Sequence, residues 1–535
     1  MSNSSDARNN RLNTKAAGII GLAVMCSRVL GLLREQIFAA LFGGGLALDA
    51  FTVAFRIPNI LRDLFAEGAL STAFVTTFSK TIARGGDQDA WRLANKVATA
   101  AALLLGALCV AGMVFSEALV HLLAPGFDTY KAALTAQLTR IMFPFILLVS
   151  LAALVMGMLN AKNHFGVPAM ASSFFNIGSI VFGVALGVWI DPHFGPRALI
   201  GFAFATLIGG GLQLAVQLPS LARVGYRYHP DFQWRDPGVR SILLLMGPAV
   251  IAASTTQFNV LVNSMFASTL VDGAIFWLAA AFRLVQLPLG LFGVALGTVT
   301  LPLLSRLVVA GHMDAFRSEL ARGLRWSLLL SLPSTVGLMM LAEPIMSVLY
   351  QHGKYTAFDA GEAAGALRFY AIGLAGYASL KVLVNAFYAL DRRKTPMLVS
   401  FLAVGLNLAL NWTFIVRLGW GHRGLAFSTG CIATVNFLLL YFLMQAHLKG
   451  LESRQLLLLL VKIGIACAAL AGVCAASSHW LFADWPHQAL LPKIGALTLT
   501  VVTGCAVFAG CGLLLHIEEL KELRAAVLRR LRRQR

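Results

Sequence analysis

Apolar residues run along this chain in uninterrupted stretches of about 20, long enough to cross a bilayer as helices, and are broken by short polar or glycine-rich connections. The stretches fall at roughly 16–42, 46–80, 93–115, 133–159, 168–190, 198–222, 238–266, 272–305, 325–342, 360–390, 396–416, 424–446, 455–480 and 489–515, which predicts about 14 spans. Hydrocarbon offers the backbone no partner, so each span must satisfy its own amides as a helix, and the pattern predicts an all-α integral membrane protein.

Sliding the chain by about 227 residues lays the first six spans on the next six. Ala54, Phe55, Arg56, Leu64 and Phe65 then fall on Ala281, Phe282, Arg283, Leu291 and Phe292, and with one residue more PAMAS from Pro168 meets PMLVS from Pro396. An even number of helices separates the copies, so the repeats keep the same orientation and are related by an axis along the membrane normal. Two pseudo-symmetric six-helix lobes are expected, 16–222 and 238–447, around a central cavity. Two further helices at 455–515 have no counterpart in the repeat, and short tails lie at 1–15 and 517–535.

Composition agrees with the pattern: 58% of residues are hydrophobic, only 13% are charged, and mean hydropathy is +0.75. The opening residues lack a short apolar core followed by a small-residue cleavage site, so no cleaved signal is expected. The seven cysteines lie in apolar stretches without ligand spacing and read as small packing residues. A net charge of +19 would suit nucleic acid, but its placement argues otherwise. With the N-terminus inside, roughly 27 of the 43 Lys and Arg fall in cytoplasmic loops and tails against about 6 outside. That bias predicts both termini in the cytoplasm and no nucleic-acid partner. In the tail, Ile517, Leu520, Val527, Leu528 and Leu531 recur at helical spacing among arginines, the pattern of an interfacial helix on anionic lipid.

The remaining charges lie within the spans. A guanidinium at the bilayer centre costs about 2.5–3.5 kcal/mol and does not deprotonate, so Arg28, Arg34, Arg56, Arg62 and Arg283 require an aqueous cavity or anionic partners. Residues seven apart return to one helix face, which groups Arg28 with Glu35 and Asp49 with Arg56 and Asp63. Asn59 lies close to the second stripe, and Glu67 lies one turn beyond Asp63. Pro58 predicts a kink in the second span, and Gly43–Gly45 a mobile turn before it. Lys381 adds a cation from the second lobe. Either each arginine pairs with a neighbouring carboxylate and locks helices together, or the set faces an anionic cargo; Arg28, Arg283 and Lys381 fit the second reading better. Forked, permanent donors suit phosphate or pyrophosphate. No phosphate-binding glycine loop, His/Cys metal spacing or nucleophile elbow is present, so the chain is expected to be a transporter without cofactor or metal, not an enzyme.

The segments SRVLGLLRE from Ser27, DAFTVAFRIPNILRDLFAEGALSTAFV from Asp49 and FRLVQLPLGLFGVALGTVTLP from Phe282 resemble the MurJ (MviN) family of lipid II flippases. LYQHGKYTAFDA from Leu349 and AFYALDRRKTP from Ala386 resemble it too. The resemblance extends over essentially the whole chain. It implies a MATE-like exporter fold and movement of lipid II, the undecaprenyl-pyrophosphate-linked peptidoglycan precursor, from the inner to the outer leaflet of the bacterial cytoplasmic membrane by alternating access. Carried across by motif, it implies cavity roles for Ser27, Arg28, Arg34, Asp49, Arg62, Glu67, Arg283 and Lys381, with Pro168 matching a functional proline. It also implies that the two helices at 455–515 form a groove for the lipid tail, and it leaves cell-wall synthesis proteins open as partners.

Two positions depart from the family pattern: Asp63 stands where a second basic residue is expected after Arg62, and Phe282 stands where some members carry an acid before Arg283. A flippase for another polyprenyl-linked glycan and a non-transporting membrane scaffold remain open on the residues alone. A drug antiporter fits less well, because its cavity would favour acids.

Overall fold

The computed structural model describes residues 3–64, 70–482, 485 and 488–534. Among them the ordered elements are helices. Ten are long and apolar enough to cross a membrane, or eleven if Met313–Met340 and Ala342–Tyr350, which meet at 72°, form one broken span. The other expected spans also coincide with helices, but helices of mixed character. That over 46–80 begins as a 17-residue helix carrying Asp49, Arg56 and Arg62.

The chain divides into two compact units, Met1–Ile275 with His352–Tyr355, and Phe276–Gln351 with Thr356–Arg535. The first holds α1 (Asn3–Phe42), α2 (Leu46–Arg62), α3 (Ser71–Val114), α4 (Ser116–Leu123), α5 (Thr129–Met142), α6 (Phe145–Ala161), α7 (Gly166–Ile190), α8 (Ala198–Ala215), α9 (Leu218–Arg223) and α10 (Pro237–Ser268). Expected spans 2 and 3 share α3, which is broken at Gly86 (φ +75°). The core of this unit gathers Phe74, Phe78, Leu93, Phe143, Ile146 and Leu159 from α3, α6 and the α5–α6 link. In a membrane, helices associate by close packing of small residues, and α7 and α8 do so. A Cβ on Gly201 would lie 2.7 Å from the Leu186 carbonyl carbon, and one on Gly209 2.7 Å from the Phe175 carbonyl oxygen.

The second unit holds α11 (Ala274–Pro288), a π-helical turn at Leu289–Gly293, α12 (Val294–Val309), α13 (Met313–Met340), α14 (Ala342–Tyr350), α15 (Ala357–Ile372), α16 (Leu374–Ala389), α17 (Lys394–Asn411) and a second π-helical turn at Trp412–Arg417. It continues through α18 (Gly421–Leu448), α19 (Ser453–Trp480), α20 (Leu490–Leu514) and α21 (Glu518–Gln534). α15 begins with a capping box in which Thr356 and Asp359 each bond the other's backbone amide. The core runs through Phe316, Leu324, Val382, Phe387, Met444 and Ile463. The two helices outside the repeat, α19 and α20, contribute Cys467, Leu470, Cys474 and Phe508 to that same core.

Three local expectations change. α2 continues past Pro58 to Arg62, and the helix widens to π geometry at Asp63–Leu64, so the irregularity lies a turn later than the proline. In the 227-residue register this coincides with the wide turn at Leu289–Gly293. The glycine turn is pinned: Lys354 N–H donates to the Ala40 carbonyl at 2.8 Å, and its ammonium donates to the carbonyls of His193 and Phe194 at 2.6 and 3.0 Å. The tail helix α21 is docked where the chain enters it. Ile517 and Leu520 are 1% and 8% exposed within the core of the second unit, because Gly512 leaves room for the Leu520 side chain. The side chains of Val527, Leu528 and Leu531 lie outside the described residues.

Candidate functional site

α1 carries the first group of cations along its length. Arg28 is exposed and makes no hydrogen bond or ion pair among the described residues. One residue earlier, the Ser27 carbonyl accepts from Asn176 Nδ2 at 3.1 Å, which ties this turn of α1 to α7. Arg34 is half-buried, with its guanidinium 5.0 Å from the Phe175 ring and 5.8 Å from the Phe55 ring. A guanidinium is weakly hydrated and stacks on aromatic faces, so this wall suits the charge of Arg34. Pro168, the third residue of α7, is buried.

The stripe on α2 is distributed differently from the sequence expectation. Asp49 takes partners from outside α2. It is 1% exposed, its Oδ2 accepts from Lys131 Nζ at 2.9 Å and from the Gly273 amide at 2.8 Å, and Lys131 reaches Asp272 at 2.7 Å. Arg56 donates through Nη1 to Ser264 on α10. Arg62 is held by its own neighbour Asp63, through Nε at 3.2 Å and Nη2 at 2.9 Å, and Gln257 Nε2 lies 3.5 Å from the other Asp63 oxygen. The acid that departs from the family pattern therefore partly neutralises an expected cargo-binding cation. Glu67 lies outside the described residues.

In the second unit, Arg283 is half-buried on α11, ten residues before Gly293. Its neighbour Phe282 packs against Tyr370 and Tyr377 at 5.2 and 6.4 Å, so an aromatic cluster occupies the position where an acid would have supplied charge. Lys381 on α16 lines a cavity of about 550 Å³ with Gly293, Gly297, Pro302, Val384 and Asn385. Asn385 Nδ2 caps the Gly297 carbonyl at 2.8 Å, which steadies the wall opposite the lysine. No cluster of metal-ligating side chains occurs among the described residues.

Sequence reasoning missed Lys131. Its signal was present: a lysine in the first turn of a span, directly after the Asp128 N-cap, is a cation where the helix dipole disfavours one, and so asks for an acidic partner.

A helical membrane protein whose spans carry Arg28, Arg34 and Lys381 at exposed, aromatic-lined and cavity-lining positions has the build of a polytopic transporter. Solved structures place its fold: a MATE multidrug-resistance transporter of the MOP superfamily, inward-facing, matches with a TM-score of 0.66 at 14% identity over 80% of this chain and 96% of its own. The lipid II flippase MurJ in an inward closed conformation matches with a TM-score of 0.72 at 25% identity, over 91% and 98%. The family model described as lipid II flippase MurJ matches residues 38–494, and this chain belongs to that family. Among its relatives, the probable lipid II flippase MurJ of Vibrio cholerae is 34% identical over 96% of this chain and 98% of its own. The lipid II flippase MurJ of Burkholderia cenocepacia is 35% identical over 91% and 94%.

Proposed function

We infer that this protein translocates lipid II across the bacterial cytoplasmic membrane by alternating access, as a transporter and not an enzyme. The family match over residues 38–494 carries the reading. The distribution of charge supports it: Arg28, Arg34, Arg283 and Lys381 offer fixed cations that suit a pyrophosphate, with Arg62 held in reserve by Asp63. A hydrophilic headgroup needs such polar partners to avoid hydrocarbon, where each unpaired polar group costs several kcal/mol. The lysine and arginine bias puts both termini in the cytoplasm. On that orientation the basic end of α21 faces anionic lipid, and α19 with α20 offers an apolar surface for the polyprenyl tail.

The test is depletion of the protein in its host, with intact cells probed for lipid II on the outer leaflet. Loss of exposure, restored by the wild-type chain but not by Arg28→Ala, is the expected result. Unchanged exposure in a host without a second flippase would redirect the reading to another polyprenyl-linked glycan or to a scaffold.

A further inference from the structure

Asp49 was expected among the residues that face the cargo, yet its carboxylate is 1% exposed and is occupied by groups from two other parts of the first unit. Lys131, in the first turn of α5, is almost equally buried, and its ammonium sits 4.3 Å from the Phe127 ring. That ammonium bridges Asp49 at the start of α2 and Asp272 in the link after α10, and the Gly273 amide of the same link donates to Asp49. A turn before the lysine, Gly126 N–H donates to Ser268 Oγ at 3.1 Å, and a Cβ on Gly126 would come within 2.5 Å of the Ser268 carbonyl. The end of α10 is thus fastened to α2 and to the α4–α5 link at a single place.

This fastening crosses the sequence repeat. α10 is the first span of the second repeat, but its contacts place it in the unit built from the first. Along its length it leaves Leu243, Leu244, Ile251 and Phe258 exposed while Val239 and Ile242 enter the core of the first unit, so polar contacts share in its attachment. Those contacts include the Lys131 cluster at one end, Arg56 to Ser264 a turn below, and Lys96 to Asp236 at the other. A buried cation between two acids is strong while whole and costly when one partner is lost, which gives two discrete states and little between.

We propose that Lys131 is a positioning residue for transport, the bridge of an ionic latch with Asp49 and Asp272 that holds the extracellular end of α10 against α2 and α5 and releases it as that end opens during the cycle. The idea rests on the flippase reading for its purpose, and on the orientation given above for the word extracellular. Asp49 then acts through the latch and not by touching lipid II. Asp272, whose side chain is 55% exposed, is the partner that leaves first when the end opens.

The experiment places a reporter cysteine at Ala267, 3% exposed at the end of α10, and measures its labelling in intact cells by a membrane-impermeant thiol reagent, subtracting the signal of the chain without that substitution. Lys131→Gln should raise the labelling rate about tenfold by shifting the population toward the open end, Asp272→Lys should do the same by repulsion, and Lys131→Arg should stay near wild type. Outer-leaflet lipid II, assayed in parallel without the reporter, should fall in the first two variants and persist in the third. Unchanged labelling in Lys131→Gln and Asp272→Lys overturns the latch, whatever transport does. If Lys131→Gln does not accumulate in membranes, Asp272→Lys alone decides, because it alters only an exposed link residue. Increased labelling in a host where even the wild-type chain exposes no lipid II would uphold the latch and overturn the flippase reading.

Discussion

The Arg325 guanidinium on α13 reaches the Glu519 carboxylate of α21 through Nε at 2.8 Å, and through Nη1 it also reaches Glu452 at 2.8 Å. Glu519 is 5% exposed, and one turn away Arg322 pairs with Glu522 at 2.8 Å. The acidic first half of the tail helix is therefore a clasp on the transporter body, while its arginines continue beyond. Arg325→Ala strands the buried carboxylate, and breaking one side of such a pair costs about 3–5 kcal/mol. The expected outcome is release of α21, seen as faster tryptic cleavage at Arg524 and a lower unfolding temperature in detergent. A truncation after His516 should cost more than Arg325→Ala, because it also strips Ile517 and Leu520 from the core of the second unit.

A second clasp responds to pH. Asp236 caps α10 through the Gly238 amide at 2.8 Å and pairs with Lys96 at 2.6 Å. Burial alone would raise its pKa, but the hydrogen bond from Lys96, the amides of Gly238 and Val239 and the lysine charge together outweigh it and hold the carboxyl below its ordinary value. A depressed folded-state pKa contributes stability that is present above the unfolded value and is lost as pH falls through the folded one. The pair therefore supports α10 across the neutral range and fails only below the usual carboxylate range. Asp236→Asn keeps the cap but loses the ion pair. It should destabilise by about 1 kcal/mol at neutral pH, a difference that vanishes on acidification; detergent unfolding at several pH values tests this.

At Gly353 the backbone has φ +57°, and an added Cβ would meet the Ala40 carbonyl oxygen at 2.3 Å. The obstructing atom belongs to the helix backbone and cannot rotate away. Gly353→Ala should cost roughly 2 kcal/mol or more, from left-handed strain plus displacement of the loop that pins the glycine turn. The same substitution at Gly361, where no atom lies within 4 Å of the added Cβ and φ is ordinary, should be neutral or slightly stabilising in thermal unfolding.

The helices were legible because a bilayer imposes one length scale on every span, and the repeat because Arg56 and Arg283 recur in one register. Charge pairing was not legible. Periodicity along a helix places Asp49, Arg56 and Asp63 on one face, but it cannot say which other helix that face meets. Asp49 took its partner from α5, 82 residues away, and Arg56 took one from α10 at a separation of 208. The pinned glycine turn escaped for the same reason, since Lys354 comes from a loop more than 300 residues further along. Conversely, Arg62 and Asp63 meet as sequence neighbours, and their pairing could have been read directly.

That last pair yields a prediction about charge balance in transport. With the Arg62 and Asp63 side chains 25% and 41% exposed, the carboxylate would remain at the proposed cargo site if the arginine alone were removed. Arg62→Ala then replaces a nearly neutral pair with a net negative charge, which repels pyrophosphate; at about 6 Å and an effective dielectric near 20 each such interaction is worth about 3 kcal/mol. The double substitution Arg62→Ala with Asp63→Asn removes the cation without leaving the anion. Outer-leaflet lipid II and complementation of a depleted host should therefore be much lower for Arg62→Ala than for the double variant at matched protein level. Equal impairment of the two would mean that the guanidinium contributes through its own directed hydrogen bonds to cargo, with Asp63 only orienting it. In that case Arg62→Lys, which keeps charge but not the fork, should fail as well.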